Sequence, residues 1–301
     1  MTTCRILVTG ANGQLGTELA RTAWPEGWSA VVLGRAALNL ADPAAIARVV
    51  ASGHEGEPWA AVINGAAYTA VDKAESDVVA AWTVNALAPA AFGAACAAAG
   101  IPVVQVSTDY VFPGDKKGAW SVDDAVAPLG VYGASKLGGE LAVRTSGARH
   151  AIVRTAWVVS AHGSNFVKTM LRVGATNPTL RVVDDQHGSP TSAADLAAAL
   201  AMIAMRLADD ANAPTGTFHF ANAGATSWAG FATEIFRQSA ERDGPSATVE
   251  PIATADYPTP ARRPANSLLD CGAVGAAYGI TPRCWQDALA DILDELIGAP
   301  Q

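Results

Sequence analysis

Tyr132 and Lys136 stand four residues apart in Tyr132-Gly133-Ala134-Ser135-Lys136. On a helix that spacing projects both side chains from one face, within reach of each other. A phenol held there can exchange a proton with a reacting oxygen. Its free pKa of about 10 lies far from neutrality, and a nearby ammonium favours the phenolate and brings the group closer to the working range. The plainer reading of the same pair is a half-buried tyrosine beside a solvated lysine. Ser107-Thr108-Asp109, one connection earlier, adds a hydroxyl at the end of an expected sheet strand. The carboxyl ends of parallel strands are where sites form, and Thr108 there can hydrogen-bond a substrate carbonyl oxygen.

Near the N-terminus, Thr9-Gly10-Ala11-Asn12-Gly13-Gln14-Leu15-Gly16 spaces three glycines by threes directly after an apolar run. Small residues at such a turn let backbone N–H groups approach a pyrophosphate, and the following helix offers its positive end. The spacing is a variant of the dinucleotide fingerprint G-x-G-x-x-G, and tight packing alone is the competing explanation. After the second apolar run, where an acid would hold ribose hydroxyls, the chain has Gly34-Arg35. Arginine suits a 2′-phosphate, so NADPH is favoured, with NADH the alternative and a plain surface arginine the bland reading. Asn64-Gly65-Ala66-Ala67-Tyr68 supplies small residues for close packing against a ribose or nicotinamide, or simply a packed turn. Lys136 is also placed to hydrogen-bond the nicotinamide ribose.

These residues need strands and helices to carry them. Arg5–Thr9, Ala30–Leu33, Trp59–Asn64, Pro102–Ser107 and Ala151–Thr155 read as short buried strands. Between them come helical stretches from Gln14 to Ala23, after Asp42-Pro43, and from Asn85 to Ala99. The alternation predicts an α/β protein with a Rossmann-type, doubly wound parallel sheet. Beyond Thr155 the rhythm weakens, broken by Asn177-Pro178, Gly188-Ser189-Pro190 and Pro258–Pro264. We expect a dinucleotide-binding domain over 1–157 and a smaller, mainly substrate-binding domain over 158–301. The boundary is soft: segments around 181–210, beginning with Arg181–Asp184, are candidates to rejoin the sheet.

With 301 residues, half of them hydrophobic, the chain can bury a large core. A net charge of -8 argues against nucleic acid or anionic membrane as a partner, so an anionic ligand must meet a local basic pocket. Cys4, Cys96, Cys271 and Cys284 are scattered, which fits reduced thiols in a cytoplasmic protein better than a zinc site. The chain runs from Met1 into an apolar strand without the pattern of a secretory signal, and polar residues interrupt every long apolar stretch.

Taken together, the motifs resemble those of the dTDP-4-dehydrorhamnose reductase family, within the extended short-chain dehydrogenase/reductase superfamily. The resemblance spans the chain: Gly10–Gly16, Ala66–Glu75, Ser107–Phe112, Tyr132–Leu137, Arg154–Trp157, Asn165–Leu171, Val183–Gln186, Gly188–Thr191 and Tyr257–Pro264. It implies NAD(P)H-dependent reduction of the 4-keto group of a dTDP-linked deoxysugar, with Tyr132 the proton donor, Lys136 tuning it and Thr108 polarising the carbonyl. It also places Asp109 and Trp157 at the sugar, Asn39 and Leu40 near the adenosine, and leaves room for a homodimer. Asn39 stands where relatives often carry aspartate. For the substrate diphosphate the candidates are Arg262 and Arg263, whose guanidinium forks match phosphate oxygens. Asn165 is a candidate substrate contact or a helix cap. Some relatives bind magnesium between subunits; Glu18 and Glu295 match two of the positions, Ala194 replaces the third with Asp195 next to it, and magnesium is left open.

Two rival readings remain at this stage. An epimerase or 4,6-dehydratase would use the same turn and the same Tyr/Lys pair, but a dehydratase needs a second acid where Tyr110 follows Asp109. A silent NADP-binding regulatory subunit would not need Tyr132, Lys136 and Thr108 intact.

Overall fold

The computed structural model describes residues 3–300; Met1, from which the reading of the N-terminus starts, lies outside them. Six parallel strands form the central sheet: β1 (Cys4–Thr9), β2 (Trp28–Leu33), β3 (Ala61–Asn64), β4 (Val103–Thr108), β5 (His150–Thr155) and β10 (Gly216–His219). Their order is β10-β5-β4-β3-β1-β2. The order of strand addition therefore reverses between β1 and β3, and a doubly wound sheet opens its ligand crevice at such a switch point.

Period-two alternation sorts the strand residues onto two faces. Ile6, Val8, Ile63, Val104 and Val153 pack with helices α1 (Gln14–Arg21) and α8 (Ala193–Asp209). Leu7, Val62, Val103 and Ile152 face α2 (Pro43–Ser52) and α5 (Ala88–Ala99). Asp42 caps α2 through the N–H groups of Ala44 and Ala45, with Pro43 at the first helical position where its missing N–H costs nothing.

The Asn85–Ala99 helix is longer than its sequence suggested. Short helices α3 (Val71–Ala74) and α4 (Val78–Trp82) lead into a π-helical turn over Thr83–Leu87 and then into α5. By length and composition Val78–Ala99 could cross a membrane. Its middle, however, holds a buried asparagine, Asn85, bonded to the Tyr68 backbone and to Ser135. Helix α6 (Val131–Thr145) lies against this turn, where Gly139 lets the backbones touch: a Cβ there would sit 2.2 Å from the Asn85 carbonyl oxygen.

The second half adds β6 (Val158–Val159), α7 (Phe166–Gly174), β7 (Thr179–Val183), β8 (His187–Gly188), β9 (Thr191–Ser192), β11 (Thr226–Ser227), α9 (Trp228–Ala240), β12 (Thr248–Ile252), α10 (Gly272–Tyr278) and α11 (Trp285–Leu296). Val167, Phe231, Ile235, Trp285 and Leu289 form its own core. Arg181–Asp184, a candidate for return to the sheet, does not rejoin it: β7 pairs in parallel with β12 in a separate two-stranded sheet. β7 is partly exposed, and the edge place beside β5 is taken by β10, whose Phe218 and His219 are buried. From the 181–210 region it is α8 that comes back onto the sheet.

The tight seam between α6 and the π turn makes a prediction. Gly139→Ala should lower the unfolding free energy by roughly 1–3 kcal/mol through overpacking, read by urea denaturation, because the obstructing atom is backbone and cannot rotate away.

Candidate active site

A cleft of about 1630 Å³ opens along the carboxyl ends of β1 to β5. It is lined by Gly10, Asn12, Gly13, Gln14, Leu15, Gly16, Arg35, Asn39 and Leu40 on the β1–β2 side of the switch point. On the other stand Ala66, Ala67, Tyr68, Thr108, Asp109, Tyr132, Lys136 and Trp157. Residues singled out at seven scattered segments thus share one cavity.

The glycine turn is closely packed for a reason. Gly10 has φ +99°, and a Cβ on Gly16 would lie 1.9 Å from the Gly10 carbonyl oxygen. Side chains at either position would push α1 away from the turn and close the space before its first N–H groups. Beneath the turn a buried polar ladder crosses the sheet: the Thr9 hydroxyl donates to Asn64 (2.7 Å), Asn64 to Gln105 (2.8 Å), and Gln105 to the Val106 carbonyl (2.9 Å). Each group is satisfied, as burial demands.

Lys136 meets the end of that ladder. Its Nζ donates to the same Val106 carbonyl at 2.7 Å. Burial pulls Lys136 down to about 8, against the neighbouring Glu140, which raises it. Tyr132 behaves differently from the sequence-based expectation that an ammonium would draw its phenol toward neutrality. Burial pushes it up to about 12, with Thr108 opposing the shift and Asp109 adding to it. The reason is geometric: the ammonium is turned to the Val106 carbonyl, so desolvation dominates. A phenol in that state keeps its proton at neutral pH, as a proton donor must.

The Tyr132 helix is held at three points. Gly130, its N-cap, offers no side chain; the Glu75 carboxylate instead accepts from the Val131 N–H at 2.8 Å. One turn on, Ser135 receives a hydrogen bond from Asn85 (3.0 Å). Further along, Glu140 accepts two bonds from Arg154, 2.9 and 2.7 Å, and one from the Ser107 hydroxyl at 2.5 Å. Glu140 and Arg154 are both essentially without solvent contact. None of Glu75, Asn85 and Glu140 was a candidate from the sequence, because their partners lie 14 to 56 residues away; the one local hint was an asparagine inside an alanine-rich run.

The Thr108 hydroxyl donates to Asp109 (3.0 Å) and accepts from the Tyr110 N–H (3.2 Å). Asp109 is buried, its second oxygen has no well-formed hydrogen bond, and burial raises the carboxyl to about 6 against the opposing Ser267 and Thr108 hydroxyls. Trp157 holds a left-handed backbone, φ +49°, which is uncommon for a bulky residue. Its ring stacks on Trp228 with centroids 3.6 Å apart and lies against Gly188, where a Cβ would come within 2.6 Å. Trp228 also lines the cleft and was not foreseen.

This chain is similar, throughout its length, to proteins already characterised. A family model described as the RmlD substrate binding domain matches residues 4–297. The chain belongs to the RmlD family. The dTDP-4-dehydrorhamnose reductase of Sinorhizobium fredii is 43% identical over 285 residues, covering 94% of this chain and 95% of that protein. Among solved structures, a dTDP-4-dehydrorhamnose reductase of Clostridium acetobutylicum is 37% identical with a TM-score of 0.88, over 97% of this chain and 99% of the other. Another, from Bacillus anthracis and in complex with NADP, is 33% identical with the same TM-score, over 98% and 100%. The α/β architecture with its parallel central sheet is thus that of RmlD-family proteins.

Three of the expected substrate contacts stand elsewhere. Arg263 lies outside the cleft lining, its fork bonded to both oxygens of Asp72 at 3.0 and 2.8 Å. Arg262 is exposed and also outside the lining. Asn165 caps α7 through the Lys168 N–H and binds Gln14 at 2.9 Å, so it fastens the 160–165 loop to the glycine turn without itself facing the cleft. Capping is the ordinary use of an asparagine there.

Magnesium does not fit the residues that match the family's metal positions. Glu18 and Glu295 come together, but the Arg21 guanidinium stands among them, donating to Glu295 at 2.6 Å, with His162 alongside. Arg21 holds the Glu295 carboxyl below its ordinary value. Asp195 is engaged by Arg283 and Asn222. Among the described residues no group of three or more His, Cys, Asp or Glu side chains could hold a metal ion.

Asp109 carries a pH signature. Its folded value of about 6 exceeds the ordinary carboxylate value of about 3.9, so between those limits the native state binds the extra proton. Stability is fully present below about pH 4, falls as pH rises through 6, and stays reduced above. Asp109→Asn should therefore raise the unfolding free energy at alkaline pH by roughly 2 kcal/mol and change it little near pH 4, measured by urea denaturation at each pH.

Proposed function

We propose that this protein reduces the 4-keto group of dTDP-4-dehydro-L-rhamnose to dTDP-L-rhamnose with NADPH as the hydride source. The observation that carries the reading is the meeting, in one cleft, of a coenzyme-shaped glycine cradle with a protonated phenol, a lysine and a threonine hydroxyl. Family membership and relatives named for this reaction support it.

The cradle fits a dinucleotide: the Gly10–Gly16 turn leaves room for a pyrophosphate against the first N–H groups of α1, and Ala66 and Ala67 leave room for a ribose. Arg35, exposed at the cleft rim beyond β2, is placed for a 2′-phosphate, which favours NADPH over NADH. When bound, the coenzyme supplies hydride to the carbonyl carbon. The oxygen then gains negative charge and needs a proton at once. Tyr132 holds that proton at neutral pH, and Lys136, turned only to a backbone carbonyl, stands one helical turn away to stabilise the phenolate that remains. The Thr108 hydroxyl stands where it can hydrogen-bond the same oxygen. Trp157, clamped between Trp228 and Gly188, offers a rigid apolar wall for the sugar. Asp109 contributes a buried acceptor for a sugar hydroxyl. Arg262 and Arg263 are the nearest candidates in the sequence for the diphosphate, and reaching it would require Arg263 to leave Asp72.

The test is coenzyme oxidation by purified protein supplied with enzymatically generated dTDP-4-dehydro-L-rhamnose. Wild type should turn over, and Tyr132→Phe should lose about 10²–10⁴-fold in kcat, the range for removing a general acid. Activity that persists in Tyr132→Phe would remove the phenol from its role. Arg35→Ala should weaken NADPH about tenfold or more, the loss of a charge-assisted phosphate contact, while leaving NADH nearly unchanged.

A further inference from the structure

We infer that Glu140, through its buried pairing with Arg154, is a positioning residue for the Tyr132–Lys136 pair. Tyr132, Lys136 and Glu140 recur every four residues and so share one face of α6. Glu140 does not itself line the cleft, yet its carboxylate ties three elements together and holds Ser107, which does. Arg154 Nε and Nη2 reach it from β5, and the Ser107 hydroxyl reaches it from β4. Arg154 and Ser107 are the residues just before Thr155 and Thr108 at the cleft floor. One carboxylate thereby sets where α6 sits, along and around its axis, relative to the threonine that faces Tyr132.

Stability alone is a weak reason for such a pair. Two charges removed from water lose their hydration, and apolar residues of similar volume commonly serve a core as well or better. What an apolar substitute cannot supply is a directional, two-pronged contact that permits one register only. Arg154 is itself fixed from behind: its guanidinium lies 5.0 Å over the Phe112 ring, and His219 stands beside it at 3.5 Å. From Glu140 to Tyr132 is about 12 Å of rigid helix. A slip at the anchor arrives at the phenol, and a displacement of about 1 Å costs on the order of 10²-fold in rate.

The proposal rests on the reductase reading, and the experiment separates the two. Glu140→Leu/Arg154→Met removes both charges, so no unpaired ion is left in the core. The expected result is a folded protein with NADPH affinity within about threefold of wild type and kcat lower by on the order of 10²-fold. Arg154→Lys, which keeps the charge and loses the planar fork, should fall between the two in kcat. A folded double variant with wild-type kcat would overturn the proposal, and so would wild-type kcat in Arg154→Lys should the double variant fail to fold. Wild type inactive toward the sugar would instead overturn the reductase reading. In that event a crystal structure of either variant still decides the positioning: Tyr132 displaced from Thr108 supports it, and an unmoved Tyr132 contradicts it.

Discussion

The pairing of Glu140 with Arg154 is the contact on which the geometry of the cleft turns. It is buried, bidentate and shared with Ser107, so it joins α6 to two neighbouring strands at the depth where the cleft begins. Its surroundings recruit the rest of the molecule. Phe112, under the Arg154 guanidinium, stacks on Trp120 with centroids 4.6 Å apart, and Trp120 donates to the Asn266 carbonyl. His219, at the end of β10, stays neutral because burial and Arg154 lower it to about 4; its Nδ1 can then donate to the Trp120 carbonyl. A strand from the second half of the chain and a loop near its C-terminus are thus fastened to the floor of a site built mainly from the first half.

Around that anchor the chain uses different means for different ends of the ligand it is shaped to hold. The glycine turn achieves close approach by omitting side chains, and its steric limits are severe, since the gap at Gly16 is closed by backbone. The reacting end achieves order by saturating hydrogen bonds: the ladder from Thr9 to Val106 and Lys136 leaves no polar group between β1 and α6 without a partner. At the cleft itself one Asp109 oxygen and the Thr155 hydroxyl are buried without a partner. A buried acceptor without a donor is costly unless a ligand completes it, which is why the apo protein should be more stable without that charge.

Much of this was legible in the sequence where the signal was local. Five of the six sheet strands, the glycine turn and the Tyr132–Lys136 spacing are carried by contiguous residues whose periodicity or type is enough. What escaped depended on contacts distant in sequence. The return of β10 to the sheet edge is invisible in Gly216–His219, four residues that gain meaning only beside β5. Glu75, Asn85 and Trp228 look like an exposed acid, a helix interruption and a core aromatic until α6 and Trp157 are set against them. Arg263 shows the converse: a guanidinium in an acidic chain looks free for phosphate, and here it is paired with Asp72, 191 residues away. Arg21 makes the same point for Glu18 and Glu295, which match positions where relatives hold a cation and between which a side chain of the protein already stands.

The most direct test of the account is a crystal structure with NADPH bound. The account predicts the pyrophosphate against the Gly10–Gly16 turn, the nicotinamide ribose within hydrogen-bond reach of Lys136 Nζ, and the reactive ring facing the space between Tyr132 and Thr108. A nicotinamide lying away from Tyr132, with the phenol still packed and unreachable, would contradict it.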